Sequence, residues 1–431
     1  MKRGFFTIMS AQFFSSLADN MLFIAAVQTL LTLDGPDWLT PLLKWCFTLS
    51  YVVLAAFVGA FADSRPKGKV MFATNTLKIF GCAMIFLAAG VTIPGLQSYW
   101  LVLLAYAIVG LGAAAYSPAK YGILTELLPP EQLVLANGWI EGLTVGSIVL
   151  GNLLGGVLIS PEVSTRLLKF DFPYIDTPVD TAPEAAIVVI GLTYVIAAAF
   201  NLAIPDTGAR YPQQQRNPMR LLADFSHCFH TLWRDKLGQI SLAVTTLFWG
   251  AGATLQVLTL RWAEKQLHLP LDRASILLGI SAIGITLGAV LAARVPLKKA
   301  LSVLPVGIAM GLVVMTLVWV KWMPAVYFVL MLSGAMAGYF VVPMNALLQH
   351  RGHVLLTAGH SIAVQNFNEN ASILLMLAIY ALMIRMHLPI NVIIVIFGGF
   401  VAGAMLMIYK WNEANHRADP HLDQHIGEAK H

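Results

Sequence analysis

Charge is what this chain is short of. Of its 431 residues only 11% are Asp, Glu, Lys or Arg, while 58% are apolar; a soluble domain carries about 25% charged residues. A deficit of this depth along the whole chain excludes a soluble globular protein and leaves a polytopic membrane protein. Cysteine is scarce as well. Cys46, Cys82 and Cys228 make an odd count, two of them inside apolar runs, so no disulfide framework is expected. No P-loop is present, which removes the sign of an ATP-driven pump. No cofactor and no metal are called for. The formal charge of +5 sits in short loops between apolar runs, so nucleic acid is excluded as a partner.

What the chain does have is apolar runs of membrane-spanning length, roughly 20 residues each. Twelve are expected, near 6–33, 39–62, 69–92, 98–118, 133–159, 184–205, 240–263, 273–295, 299–320, 324–346, 356–384 and 389–411. The basic start, Met1-Lys2-Arg3, resembles a signal peptide, but its apolar run continues past Asp19 with no small-residue cleavage site, so it reads as an uncleaved first span. The polar stretch 206–238 divides the spans six and six. The expected architecture is an all-α membrane protein of two pseudo-symmetric six-helix bundles. Residues 1–205 form the first, 206–238 a cytosolic linker, 239–411 the second and 412–431 a cytosolic tail. Basic residues concentrate in every second loop, including Arg65, Lys67, Lys69, Arg294, Lys298 and Lys299, which puts both termini in the cytosol. The tail, with four histidines, is expected to be disordered, and the acidic outer segment 160–183 to be a solvated loop.

Six ionisable groups fall within or at the ends of the expected spans: Asp19, Lys78, Lys120, Glu141, Arg261 and Glu369. Each costs about 2.5–3.5 kcal/mol at a helix centre on insertion scales, so each needs a partner or water. Ser15, Ser16, Asp19 and Asn20 share a helical face. Asp19 reads either as a cavity-lining acid that pairs with Lys120 in one state, or as a structural acid locking span 1 to a neighbour. Gln365, Asn366, Glu369 and Asn370 make a dense polar segment in span 11, suited to lining a headgroup cavity, holding a cation, or knitting helices together. Arg261 either snorkels to the surface, gates the outer side, meets a lipid phosphate or pairs with the Glu369 face. Glu141 is expected to pair with a basic group near the cytosolic end, such as Lys120. Lys78 lies roughly 13 Å into span 3 by helical rise and ranks below these. His230 and Asp235 match a His-x4-Asp acyltransferase pattern, but they sit in a linker, and eleven histidines make one chance match easy. No enzyme activity is expected.

Span 4 ends in Gly112-Ala-Ala-Ala-Tyr-Ser-Pro118-Ala-Lys120-Tyr-Gly122. Its small residues admit a close helix neighbour, and Pro118 is expected to break the helix. Span 10 echoes it, with Gly338 five residues before Pro343 where Gly112 is six before Pro118. Asn137 and Glu141 in span 5 match Gln365 and Glu369 in span 11. These are the pairs that a six-plus-six duplication relates. Between spans 2 and 3, Gly59-Ala-Phe-Ala-Asp63-Ser-Arg65-Pro-Lys67-Gly68-Lys69 reads as a tight turn. Its acid would meet a helix N-terminus or a base and latch one state, or the turn is merely solvated.

The loop 2–3 motif resembles the signature of the major facilitator superfamily, with two extra residues between Asp63 and Gly68. The segments AQFFSSLADN, GAAAYSPAKYGILTEL, FWGAGATLQ, FVVPMNALLQHRG and AVQNFNENASILLML are more specific. Together they resemble the bacterial lysophospholipid transporters, a branch of that superfamily, over nearly the whole chain. The resemblance implies alternating access by two rocking halves in the Gram-negative inner membrane. It implies flipping of lysophosphatidylethanolamine and related lysolipids from the outer to the inner leaflet. It further implies functional coupling to a 2-acylglycerophosphoethanolamine acyltransferase/acyl-ACP synthetase, and contact with membrane lipids. A proton-coupled exporter of amphiphilic drugs, with Asp19 or Glu369 carrying the proton, shares fold and composition and is the alternative.

Overall fold

The computed structural model describes residues 3–34, 39–88, 97–168, 179–211, 217–269 and 271–426. Every expected span has a helix. They are α1 (Arg3–Thr32), α2 (Leu39–Val53) with α3 (Ala55–Asp63), α4 (Lys67–Ala88), α5 (Ser98–Leu127) and α6 (Pro130–Ile159). After the short α7 (Pro161–Leu168) come α8 (Ala182–Leu202), α9 (Pro218–Arg234), α10 (Gly238–Leu267), α11 (Leu271–Ala292) and α12 (Leu304–Met315). The last three are α13 (Met323–Leu355), α14 (Ala358–Arg385) and α15 (Ile390–Ala418). Among the described residues ten helices are long and apolar enough to cross a membrane, eleven with the bent pair α2–α3, and Ile276–Ala292 is a shorter apolar helix.

Local chemistry sets several helix ends. Thr181 and Glu184 close a capping box at α8, satisfying backbone donors that a helix start leaves free. Asn217 caps α9 through the Met219 N–H, with Pro218 in the first turn. His268, at φ +51°, ends α10 in the left-handed conformation.

Three features depart from expectation. Span 2 is not one rod: α2 and α3 meet at 64° around Leu54, where the sequence has neither proline nor glycine. Pro118 does not break span 4, because α5 runs through it to Leu127, and α13 likewise runs through Pro343. A proline removes one N–H, a loss that neighbouring helices and local adjustment absorb inside a membrane. The tail is not disordered as far as Ile426. Leu422 and Ile426 are buried, and α15 extends to Ala418. The outer segment contains α7, while its acids Asp171 and Asp176 lie outside the described residues.

By contacts the chain forms two units. One comprises Met1–Lys120 with Gly146–Gln214, and the other Tyr121–Val145 with Gln215–His431. The first unit packs Leu22, Ala25, Ile85, Val102, Tyr106 and Ile190 into its core. In the second, α9 lays Cys228 and Leu232 onto Leu242, Leu348 and Val364, and its Phe225 ring meets Phe367 edge-on at 5.5 Å. Outward faces carry Phe80, Leu192, Phe328 and Met407 exposed, as lipid contact requires. Glycine sets the closest approaches. A Cβ at Gly288 or Gly284 on α11 would land on the Ala335 or Met331 carbonyl of α13, and one at Gly338 or Gly334 would land on the Ile285 or Ser281 carbonyl.

Candidate functional site

The first unit gathers its polar side chains around Asp19. Ser15 and Asp19 lie one turn apart on α1, and Asn75 and Lys78 lie one turn apart on α4, so each helix presents two groups to the other. Lys78 Nζ stands 2.7 Å from Asp19 Oδ2 and donates to Ser15 Oγ at 3.0 Å. Ser15 Oγ donates in turn to Asn75 Oδ1 at 2.8 Å. From α8, Tyr194 OH donates to Asp19 Oδ1 at 2.6 Å. The Lys78 ammonium also lies 5.1 Å from the centre of the Tyr116 ring and 5.8 Å from that of Tyr194, close enough for attraction by both faces. Gly112 makes this possible: a Cβ there would come within 2.7 Å of Lys78 Cγ and 2.9 Å of the Thr74 carbonyl.

Burial is unequal across the pair. The Lys78 side chain is 2% exposed and that of Asp19 17%, so the carboxylate is the more accessible end. A buried ion pair holds when further hydrogen bonds saturate it, and Ser15 and Tyr194 supply them. In this structure Asp19 pairs with Lys78; the pairing with Lys120 that the sequence suggested for one state is not the one seen here. Both bases stand on helices that could reach span 1, and only the packing of α1 against α4 decides between them. Lys120 is half-buried on α5, the last residue of the first unit's N-terminal segment. Asn20 turns back to the Ser16 carbonyl at 2.8 Å, and its Cβ lies against Gly151 of α6.

The second unit has a polar cluster of a different kind. Gln365 Nε2 donates to Asn345 Oδ1 of α13 at 3.0 Å and to Glu369 Oε1 at 2.7 Å. One turn beyond Asn345, Gln349 exchanges two hydrogen bonds with Asn137 of α6, both at 2.9 Å. Asn366 is buried, and Asn370 bonds back to its carbonyl. Arg261 is exposed on α10. The side chain of Glu141 lies outside the described residues.

At the loop 2–3 motif, Lys67 closes on Asp63 as a buried ion pair and donates to the Ala62 carbonyl at 3.0 Å. Lys67 also lies 5.0 Å from the centre of the Tyr211 ring. Arg65 and Lys69 are exposed. The His-x4-Asp pair does not form a dyad. Asp235 takes Arg351 through both oxygens, at 2.6 and 3.1 Å, while His230 Nδ1 faces the Ser226 carbonyl at 2.7 Å.

Sequence reasoning missed Tyr194, Asn75 and Asn345, and placed Lys78 too low. The signals were available for two of them. Asn75 precedes Lys78 by one turn on a face that would otherwise be lipid-like, and Asn345 follows Pro343 in the segment that echoes span 4. Tyr194 carries no such mark, since a lone tyrosine in an apolar span is an ordinary core residue.

Comparison with known proteins gives these clusters their setting. The family model described as Major Facilitator Superfamily matches residues 8–367. The chain is 39% identical over 392 residues to the lysophospholipid transporter LplT of Yersinia enterocolitica serotype O:8, covering 90% of this chain and 89% of that one. The same figures hold for LplT of Yersinia pestis strain Pestoides F. Among solved structures, a bacterial homologue of the iron transporter ferroportin superposes with a TM-score of 0.71 at 14% identity, over 96% of this chain and 100% of that one. The transporter FucP superposes with a TM-score of 0.68 at 15% identity, over 95% and 98%. At such identity these two speak for the fold alone. The family model's match over residues 8–367 and the near full-length match to LplT place the chain in the major facilitator superfamily, as a member of its bacterial lysophospholipid transporter family.

Proposed function

We propose that this chain carries lysophospholipids, lysophosphatidylethanolamine among them, from the outer to the inner leaflet of the Gram-negative inner membrane by alternating access. The observation that carries the reading is the buried Asp19–Lys78 pair, set in an apolar helical body that matches LplT along nine-tenths of its length. A lysophospholipid brings a phosphate, an ammonium in the ethanolamine case, and a single acyl chain. The phosphate finds its partner in Lys78 and the ammonium in Asp19, so the headgroup exchanges into the ion pair without leaving a buried charge uncompensated. Tyr194 and Ser15 hold the two side chains in place during the exchange. The acyl chain meets the apolar faces of the helices.

Lys120, Asn366, Glu369 and Asn370 belong to the same proposal as further headgroup or gating groups, and Asp63 with Lys67 as a latch on one state. Arg261, being exposed, would act at the surface. Both termini lie in the cytosol in this reading, and the product is re-acylated there by a 2-acylglycerophosphoethanolamine acyltransferase/acyl-ACP synthetase. With Asp235 held by Arg351, the His230 and Asp235 pair does not form an oriented base for acyl transfer.

The test is uptake of labelled lysophosphatidylethanolamine into spheroplasts that lack their own transporter. Wild type should support uptake, and Asp19→Asn and Lys78→Gln should lose it at equal expression. Absence of uptake with well-expressed wild type would refute the substrate. Uptake that collapses with an uncoupler would favour obligatory proton coupling and bring back the exporter reading.

A further inference from the structure

We propose that Lys44 is a second phosphate contact for the lysolipid, the one its headgroup meets before Lys78. The proposal rests on the lysophospholipid reading and adds a residue to it. Lys44 is exposed, near the Leu39 end of α2. A lysine near the end of a span ordinarily carries its ammonium out to water. This one turns toward its own unit: Nζ stands 4.7 Å from the centre of the Phe23 ring on α1. The same face of α2 continues inward. Phe47, one turn on, meets Tyr106 of α5 at 5.8 Å between ring centres, and Phe23 meets the same tyrosine at 6.3 Å.

Charge carries the argument further. Asp19 neutralises Lys78, whereas among the described residues no carboxylate stands against Lys44. An ammonium within an apolar span calls for an anion or water, and the phosphodiester of a lysophospholipid carries the single negative charge that fits. The Phe23 face holds the ammonium in position without using up its three donors.

Position gives the order of contact. Phe23 follows Asp19 by one turn of α1, about 6 Å of helical rise. With the start of α1 in the cytosol, as in the proposed function, Lys44 lies on the outer side of the Asp19–Lys78 pair. Exposure falls in the same direction, from Lys44 through Asp19 to Lys78. A headgroup arriving from the outer leaflet lodges its phosphate at Lys44, then passes inward and exchanges into the pair.

The test compares initial rates of labelled lysophosphatidylethanolamine uptake in spheroplasts expressing the full chain as wild type, Lys44→Gln or Lys44→Arg at equal levels. Lys44→Gln should raise the apparent KM about fivefold, the upper reach of an exposed ion pair, with Vmax little changed. Lys44→Arg should keep the wild-type KM, since a guanidinium also donates to phosphate. Added salt should raise KM in wild type and leave Lys44→Gln unmoved, because exposed charge contacts are screened. Monoacylglycerol, which has the tail and no phosphate, should inhibit both proteins alike. Lys44→Ser repeats the comparison if the glutamine variant expresses poorly. Wild-type uptake with the same KM in Lys44→Gln overturns this proposal alone. A fall in Vmax at constant KM, or Lys44→Arg failing as badly as Lys44→Gln, also overturns it and makes Lys44 a packing residue. Inorganic phosphate that competes as strongly as the lysolipid overturns it in favour of a free-anion site. Wild type without uptake removes the lysophospholipid reading and this proposal together.

Discussion

The two units solve the same problem, polar groups deep in an apolar helix bundle, in different currencies. The first pairs full charges, Lys78 with Asp19, and saturates them with Ser15 and Tyr194. Beside its Asp235–Arg351 ion pair, the second uses amides, Gln365 on Asn345 and on Glu369, and Asn137 on Gln349. The difference lies in what each does when disturbed. An ion pair that loses one member strands a charge, and only another charged group can replace the lost member cheaply, which is how a zwitterionic headgroup recommends itself. An amide pair that loses a member strands a neutral dipole, and the helices it joins are held more than they are selective. Charge suits recognition, and amides suit the fixing of helix contacts.

The sharpest way to break that contrast is at Lys78. Lys78→Met leaves Asp19 without its cation and should cost about 3–5 kcal/mol, toward the lower end because Asp19 keeps some exposure. The double variant Asp19→Asn with Lys78→Met should recover much of that loss, and a double-mutant cycle on denaturation midpoints in detergent would read the coupling. Additive single effects would mean that the pair is not an energetic unit. Transport should be lost in all three.

Two glycines at matching places, Gly112 and Gly338, test whether close helix approach matters equally in both units. A Cβ at Gly338 would land on the backbone carbonyl of Ile285, while one at Gly112 would meet Lys78 Cγ at 2.7 Å and the Thr74 carbonyl at 2.9 Å, a less severe overlap. Overpacking of this kind costs about 1–3 kcal/mol. Gly338→Ala should therefore lower the unfolding temperature more than Gly112→Ala. Gly112→Ala should instead impair transport beyond its effect on stability, because it displaces Lys78. The reverse order would contradict the packing described for α11 and α13.

Asn137→Ala and Gln349→Ala each remove half of a reciprocal amide pair and leave a buried partner unsatisfied, at about 1–3 kcal/mol. Asn137→Leu with Gln349→Leu, which removes both, should cost less than the sum. Chemical unfolding curves would show it. If the single variants are silent, the amide pair contributes nothing to holding α6 on α13.

How far these contrasts were visible beforehand depends on range. Composition and run length are local sums, so the membrane class and the positions of the spans were legible. The echo of Gly112 and Pro118 in Gly338 and Pro343 was legible as well. What failed was whatever depends on the rotation of one helix against another. Asp19 had two bases within reach, and nothing in the sequence says that Lys78 is the one turned toward it in this arrangement. The bend at Leu54 has no residue that announces it. Pro118 announced a break that the surrounding helices remove the need for. The tail was misjudged because two apolar residues among histidines and aspartates, Leu422 and Ile426, are too few to register as a pattern, yet both are buried.

That tail supplies the weakest charge pair and the mildest test. His416 Nε2 meets Asp423 Oδ1 at 3.0 Å, and its Nδ1 faces the Asn412 carbonyl at 2.9 Å. Partial burial by itself would lower the imidazole, but the Asn412 carbonyl and the carboxylates of Asp423 and Asp419 hold it above its ordinary value of 6.5. A group whose folded value is raised favours the folded arrangement when protonated. Its contribution is complete below pH 6.5 and disappears as the pH climbs through the raised value. With both partners largely solvated the effect should stay under about 1 kcal/mol. Protease cutting between Asp419 and Ile426 should accordingly be faster at pH 8 than at pH 6, and His416→Gln should flatten the difference. Cutting that is indifferent to pH in wild type would mean that Leu422, Ile426 and the bond from Arg351 to the His425 carbonyl hold the tail without help from charge. An exposed pair would then contribute nothing beside a few buried apolar contacts, the opposite of what Lys78 and Asp19 are expected to do in the first unit.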